Sequence, residues 1–109
     1  MNKVVNKVVI FGVGLIGGSF ARALKQAGAA RCIVGMDRSP ASLQRALELG
    51  IIDEAGDGSD AGLASALQGA DLVLLAAPVA QTGNILAALL PHLDAHTVLT
   101  DAGLSLIHI

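Results

Sequence analysis

The chain has 109 residues, 53% of them hydrophobic and 15% charged, which excludes a disordered tail and is typical of one domain whose sheet is covered on both faces. A formal net charge of −2 and two aromatic residues in total argue against a nucleic-acid-binding surface. The single cysteine, Cys32, excludes an internal disulfide, and we expect it to be a small buried residue on a strand. Without a visible secretory signal or membrane span, a cytoplasmic protein is expected.

The first half of the chain alternates between strand and helix patterns. We predict a strand at Lys7–Phe11, a helix from about Gly14 to Ala27, a strand at Cys32–Met36, and a helix from Pro40, capped by Ser39, to Gly50. The strands are β-branched without polar alternation, which indicates burial on both faces. Ile51 and Ile52 either begin a short third strand or form an extended link.

The second half continues the alternation after a loop-like stretch at Asp57–Ser59. We predict a helix at Asp60–Leu67, a strand at Asp71–Ala76, a helix from about Gln81 to Leu90, and a strand at Thr97–Thr100. This order predicts an α/β fold, a Rossmann-type doubly wound parallel sheet with strand order 3-2-1-4-5 and its switch point between the first and fourth strands. Ligands of such sheets bind at the carboxyl ends of the strands, beside that switch point.

A glycine-rich segment joins the first strand to the first helix with the spacing Gly-x-Gly-x-x-Gly. Gly12 allows the tight turn, Gly14 lets the backbone approach a pyrophosphate, and Gly17 lets the helix pack on the strand. The backbone N–H groups at Leu15 and Ile16 open the helix and point toward an anion. The segment predicts a dinucleotide site, and a plain glycine-rich turn is the alternative.

An acidic residue, Asp37, ends the second strand 20 positions after Gly17. Its carboxylate can accept hydrogen bonds from the adenosine ribose hydroxyls and would repel a 2′-phosphate, which favours NAD over NADP. Arg38 is the complication, because its guanidinium could pair with a 2′-phosphate, stack on adenine or simply be solvated.

Small residues end the fourth predicted strand at Ala76, Ala77 and Pro78. They leave room for the cofactor, and Pro78 turns the chain away; simple strand termination is the alternative. His92 and His96 are expected at the opposite end of the sheet on the surface. The sequence shows no metal-ligand spacing, so we predict no metal site and assign no catalytic residue.

The sequence resembles the N-terminal domain of the prephenate and arogenate dehydrogenase family over residues 7–103. The matching segments are Val8–Ser19, Val34–Ser39, Ala46–Asp53, Ala70–Val79 and Leu99–Gly103. The resemblance implies an NAD-dependent oxidative decarboxylation of prephenate to 4-hydroxyphenylpyruvate in tyrosine biosynthesis. It also implies a homodimer formed through a further helical domain. The charge and the short apolar stretches of the sequence separately predict neither nucleic acid nor membrane as a partner.

The family pattern fails after Gly103, where Leu104 occupies the place of a substrate-site serine. We therefore predict a dinucleotide-binding domain at residues 1–103 and a non-native tail at 104–109, which reads like a translated sequencing adapter; a short alternating strand is the alternative. On this interpretation the chain is a truncated fragment that binds NAD and is inactive by itself. The competing hypotheses are a stand-alone dinucleotide-binding module and another Rossmann dehydrogenase, of the arogenate or 3-hydroxyacid type.

Overall fold

The computed structural model describes residues 5–56, 60–76, 83, 85, 87–93, 96–101 and 106–108. Strands are β1 (Val5–Phe11), β2 (Ala30–Met36), β3 (Glu54–Ala55), β4 (Leu72–Leu75), β5 (Val98–Asp101) and β6 (Leu106–His108). Helices are α1 (Leu15–Ala27), α2 (Pro40–Glu48) and α3 (Asp60–Leu67), with a 3₁₀ turn at Leu90–His92. Residues 83, 85 and 87–89 are also helical, where the sequence predicts a helix from Gln81.

The sheet has the strand order β3-β2-β1-β4-β5-β6. The first five strands are parallel, which confirms the predicted Rossmann-type order 3-2-1-4-5 and its switch point between β1 and β4. Each of the helices α1, α2 and α3 lies between two consecutive strands along the chain, as crossovers between parallel strands require. The sheet places the carboxyl ends of β1, β2, β4 and β5 along one edge.

Alternate residues of β1 enter two separate apolar layers. Val8 and Ile10 join the cluster beneath α1 and α2, whereas Val9 and Phe11 join the cluster that includes Leu67 of α3. All four strand residues are 7% exposed or less. Burial on both faces explains why the strands are apolar without alternation.

All five predicted strands differ from the structure at one or both ends, β4 and β5 by a single residue at each end. β1 begins at Val5 rather than Lys7, because the Val5 N–H donates to the Ala29 carbonyl at 2.8 Å and extends the pairing with β2. β2 correspondingly begins at Ala30. The third strand is Glu54–Ala55, so the Ile51–Ile52 segment is the link before it.

The sixth strand, β6, was absent from the predicted sheet order and pairs antiparallel with β5. An unpaired edge strand presents free backbone N–H and C=O groups, so it can accept any extended segment of suitable length. Pairing at residues 106–108 therefore does not test whether residues 104–109 are native. The division at residue 103 stays a prediction, which sequencing of the coding DNA through the last six codons would check.

Candidate dinucleotide site

The candidate site begins where four strands end at the same level. Hydrogen-bond register aligns Phe11 with Met36 on one side and with Leu75 on the other, and aligns Leu75 with Asp101. The glycine-rich loop and the segment at Asp37 both leave the sheet from this edge. Two of the predicted site residues, Ala77 and Pro78, lie outside the described residues.

The glycine-rich loop turns sharply off β1 at Gly12. Gly12 has φ = 96°, a conformation that side chains with a Cβ rarely adopt, and its N–H donates to the Met36 carbonyl at 2.7 Å. The turn carries the chain over the end of β2 before α1 starts. The expectation that the first glycine makes a tight turn is therefore met by its backbone geometry.

The third glycine of the motif, Gly17, lies against the start of the loop. A Cβ added there would overlap the Gly12 carbonyl oxygen and would lie 3.2 Å from the Cβ of Ala76. α1 can approach the ends of β1 and β4 this closely because position 17 has no side chain. The structure thus brings Gly12, Gly17 and Ala76 together as the sequence predicts.

The middle glycine, Gly14, faces open space. It is exposed, and an added Cβ would meet no heavy atom within 4 Å. Gly14 is the N-cap of α1, and glycine has no side-chain oxygen with which to cap the helix. Leu15 and Ile16 are the first two residues of α1, so their N–H groups belong to the turn that lacks helical carbonyl partners. This open helix start is suited to an anion.

The carboxylate of Asp37 joins the two loops at this edge. One oxygen, Oδ2, accepts from the Val13 N–H at 2.9 Å, and the other, Oδ1, accepts from the Ser39 N–H at 2.8 Å. A carboxylate has about four lone-pair sites, so these two bonds leave capacity for two further donors such as ribose hydroxyls. Asp37 is half-buried, and Arg38 beside it is exposed.

Ser39 fulfils its predicted role at the start of α2. Its side-chain oxygen accepts from the Ser42 N–H at 3.2 Å, and Pro40 occupies the first helical position. The cap fixes the direction in which α2 leaves Asp37. The Asp37–Ser39 loop is therefore held at both ends, by the carboxylate and by the cap.

A groove between α1 and α2 adjoins the glycine-rich loop. Its volume is about 360 Å³, and its lining includes Gly14, Ser19, Arg22, Ser42 and Arg45. The two arginines are exposed and add positive charge on this side of Gly14. Negative groups bound at the loop would meet a favourable field there.

His96 lies at the opposite end of the sheet from the candidate site. His96 is paired with Asp71 at the start of β4, the opposite end of the strand from the candidate site, and its Nε2 lies 3.0 Å from Oδ1. Among the residues that the structure describes, no group of three His, Cys, Asp or Glu side chains is placed to hold a metal ion. Within the same residues, no helix is long and apolar enough to cross a membrane.

Two residues of this site were missed by the sequence analysis. Val13, between the first two glycines, is 8% exposed and binds Asp37 through its N–H. Gly35, on β2, lies under Val13. The available signal was Gly35 itself, because a glycine inside a strand often marks the close approach of another segment.

Comparison with known proteins agrees with this geometry. The family model for the nucleotide-binding domain of prephenate dehydrogenase matches residues 20–105. The chain belongs to the prephenate dehydrogenase family. This membership confirms the resemblance carried by the glycine-rich loop and the later segments of the sequence.

Members of the prephenate dehydrogenase family resemble the chain in sequence and in structure. The prephenate dehydrogenase of Bacillus subtilis (strain 168) is 36% identical over 104 residues, which are 94% of this chain and 27% of that protein. The Aquifex aeolicus prephenate dehydrogenase, crystallised with hydroxyphenyl propionate and NAD+, has a TM-score of 0.83 and 36% identity, covering 93% of this chain and 34% of that one. The Synechocystis arogenate dehydrogenase has a TM-score of 0.75 and 33% identity, with coverages of 87% and 32%. The chain thus spans about a third or less of the length of these relatives.

Proposed function

We propose that this chain binds NAD at the edge formed by its glycine-rich loop and Asp37. The observation that carries the proposal is the pairing of an open helix start at Gly14 with a carboxylate that still has acceptor capacity next to it. The first feature suits a pyrophosphate and the second suits a ribose diol. The NAD+ complex of the Aquifex aeolicus relative supports the same ligand.

The residues of the loop have separate roles in this proposal. Gly12 sets the turn, Gly17 keeps α1 close to the sheet, and Gly14 leaves the approach to the phosphates free. The N–H groups of Leu15 and Ile16 then donate to phosphate oxygens at the positive end of α1. None of these roles requires a charged side chain, which fits a loop built from small and apolar residues.

The remaining contacts concern the two nucleosides. Asp37 accepts from the adenosine ribose hydroxyls, which favours NAD because a 2′-phosphate would face the carboxylate. Arg38 lies at the adenosine end, where its exposed guanidinium can stack on the base. Ala76, beside Gly17 after the end of β4, leaves space for the cofactor. The same role for Ala77 and Pro78, which lie outside the described residues, stays a prediction.

Substitution of Gly14 by Val tests the site directly. A Cβ added at Gly14 meets no heavy atom within 4 Å in the free chain, so we expect the melting temperature to change little. The added methyl groups would occupy the phosphate approach, and we expect NAD affinity by titration calorimetry to fall at least tenfold, about 1.4 kcal/mol.

Ala88→Val is the matched control, because Ala88 is an exposed helical residue outside the candidate site. This variant should bind NAD like the unsubstituted chain. Equal NAD affinity in Gly14→Val and in the control would refute the assignment of the loop. A parallel titration with NADP should give weaker binding, and tighter NADP binding would refute the role given to Asp37.

For the protein that contains this domain, we propose NAD-dependent oxidative decarboxylation of prephenate. The substrate loses CO₂ and a hydride, its ring becomes aromatic, and NAD+ accepts the hydride. The Bacillus subtilis and Aquifex aeolicus relatives are named for this substrate, whereas the Synechocystis relative is named for arogenate. A homodimer and a cytoplasmic location stay predictions.

The 109-residue chain itself should bind NAD without turning over prephenate. No catalytic residue is assigned from the sequence of this chain, so the expected NADH signal from purified chain, prephenate and NAD is nil. Measurable NADH formation would contradict this. Assays of the whole gene's protein with prephenate and with arogenate in parallel would decide between the two substrates.

A further inference from the structure

Val13 is held from beneath by two residues, one near the end of β2 and one just after it. Asp37 follows the end of β2 and binds the Val13 N–H at 2.9 Å. Gly35 lies two positions earlier, and a Cβ added there would lie 2.9 Å from Cγ1 of Val13. One residue therefore positions the backbone of Val13 and the other leaves room for its side chain.

The space above Gly35 is filled by two apolar side chains. The same added Cβ would lie 2.8 Å from Cδ1 and 3.2 Å from Cγ2 of Ile52, and Val13 and Ile52 belong to one buried cluster. Ile52 could move its terminal methyl group by rotation. Val13 has less freedom, because its side chain has only the stiff χ1 torsion, whereas Ile52 also has χ2, and because the Val13 backbone is bonded to Asp37.

Movement of Val13 would change the binding loop on both sides. The turn at Gly12 precedes it, and the open position Gly14 follows it. A loop already in its binding shape avoids the entropic cost of ordering when the ligand arrives. Small displacements of such a backbone affect every hydrogen bond that it donates to phosphate.

We propose that Gly35 and Asp37 act together as positioning residues that set the glycine-rich loop over the sheet edge before a dinucleotide binds. The proposal rests on the proposed NAD site and adds Gly35, which lies beneath the loop and is given no contact with NAD, to the determinants of that site. Gly35 acts through Val13 and contacts no ligand. Position 35 needs a residue without a side chain, so a smaller side chain at position 13 should compensate for the methyl group that Gly35→Ala adds.

The test compares Gly35→Ala, Val13→Ala and the double variant by NAD titration. Gly35→Ala should push Val13 upward and weaken NAD binding by about tenfold. Val13→Ala alone leaves a gap above Gly35 and should weaken binding less. Adding Gly35→Ala to Val13→Ala fills this gap, so the double variant should bind within about threefold of the unsubstituted chain.

Gly35→Ala should therefore weaken NAD binding when residue 13 is valine and strengthen NAD binding when residue 13 is alanine. Leu67→Ala is the control for general destabilisation, because Leu67 is fully buried in the opposite apolar cluster. It should lower the melting temperature and leave NAD affinity unchanged at a temperature where all variants are folded. If Gly35→Ala weakens binding equally in both backgrounds, or not at all, the positioning role is wrong.

A second readout needs no ligand. The amide hydrogen at position 13 is bonded to Asp37, so its exchange with solvent should be slow in the free chain. Gly35→Ala should accelerate this exchange, and the double variant should restore it; unchanged exchange in Gly35→Ala would overturn the proposal. Absence of NAD binding by the unsubstituted chain would instead refute the proposed function. The exchange measurement would then still test whether Gly35 positions Val13. If the Gly35→Ala chain misfolds, the comparison of Val13→Ala with the double variant still tests the positioning role of Gly35.

Discussion

Gly17 lies so close to Gly12 that a Cβ added to Gly17 would overlap the Gly12 carbonyl oxygen. Gly17→Ala should therefore force α1 away from β1 and Ala76. We expect a loss of about 1–3 kcal/mol in the free energy of unfolding, as for other overpacked sites. Urea denaturation followed by circular dichroism would measure it.

The neighbouring glycine provides a matched control for this substitution. A Cβ at Gly18 would lie 3.4 Å from the Val13 carbonyl oxygen, an ordinary van der Waals contact. Gly18→Ala should be neutral or stabilising by up to about 1 kcal/mol, because alanine favours a helix over glycine. Equal stability of the two variants would contradict the close approach at Gly17.

Asp53 ties α1 to β2 and should make stability depend on pH. Its Oδ2 accepts from the Ile33 N–H at 2.8 Å, and its Oδ1 pairs with Lys25. Burial alone raises the pKa of the Asp53 carboxyl, but the hydrogen bonds from Lys25 and Ile33 and the charge of Lys25 outweigh it and lower the pKa below its usual value. The stabilisation is present above the unfolded-state pKa of about 3.9 and is lost as pH falls through the folded-state pKa.

Asp53→Asn should therefore cost stability at neutral pH and cost progressively less in acid. The carboxylate is about a third exposed, so solvent screening limits the loss to roughly 1 kcal/mol or less. Glu48→Gln is the control, since Glu48 is exposed on α2 and accepts a side-chain bond from Gln44. Thermal melts of both variants across this pH range would show the difference, and a pH-independent cost for Asp53→Asn would argue against the mechanism.

Asp71 connects three strands at the edge opposite the candidate site. Its Oδ2 accepts from the N–H groups of Asn6 and Lys7 at 2.9 and 3.2 Å, and its Oδ1 pairs with His96. Asp71→Ala would leave the strand N–H groups without this acceptor, and we expect a loss of roughly 1–3 kcal/mol. His96→Ala removes only the more exposed partner and should cost less than about 1 kcal/mol. Equal losses in chemical denaturation would mean that the backbone bonds contribute nothing.

Cys32 should react slowly with alkylating reagents. Burial raises the pKa of its thiol, and the hydrogen bond to Glu54, with Sγ and Oε2 3.4 Å apart, and the negative charge of Glu54 raise it further. The thiolate is the reactive form, so Glu54→Gln should speed iodoacetamide alkylation by about two- to fivefold. Glu48→Gln should leave the rate unchanged, and an unchanged rate in Glu54→Gln would contradict the role of Glu54.

The strand order and the glycine-rich loop could be predicted from the sequence because both depend on local patterns. Apolar strands that alternate with amphipathic helices permit few parallel topologies, and right-handed crossovers leave the order seen here. The spacing of Gly12, Gly14 and Gly17 can be recognised in the sequence itself. Each glycine lacks the side chain that would obstruct a tight turn, the approach of a ligand or the packing of the helix on the strand. The position of Asp37 after the second strand follows from the same alternation.

The tertiary structure alone decided which residues support this site and hold the sheet together. Val13 lies over Gly35 because the turn at Gly12 carries it across β2, a direction that no local pattern specifies. The bond between Lys25 and Asp53 spans 28 positions. Such contacts depend on the register between strands and on how closely helices approach the sheet, which the whole packed core sets together. The sequence therefore determined the fold and its glycine-rich loop, and the packing determined what keeps that loop in place.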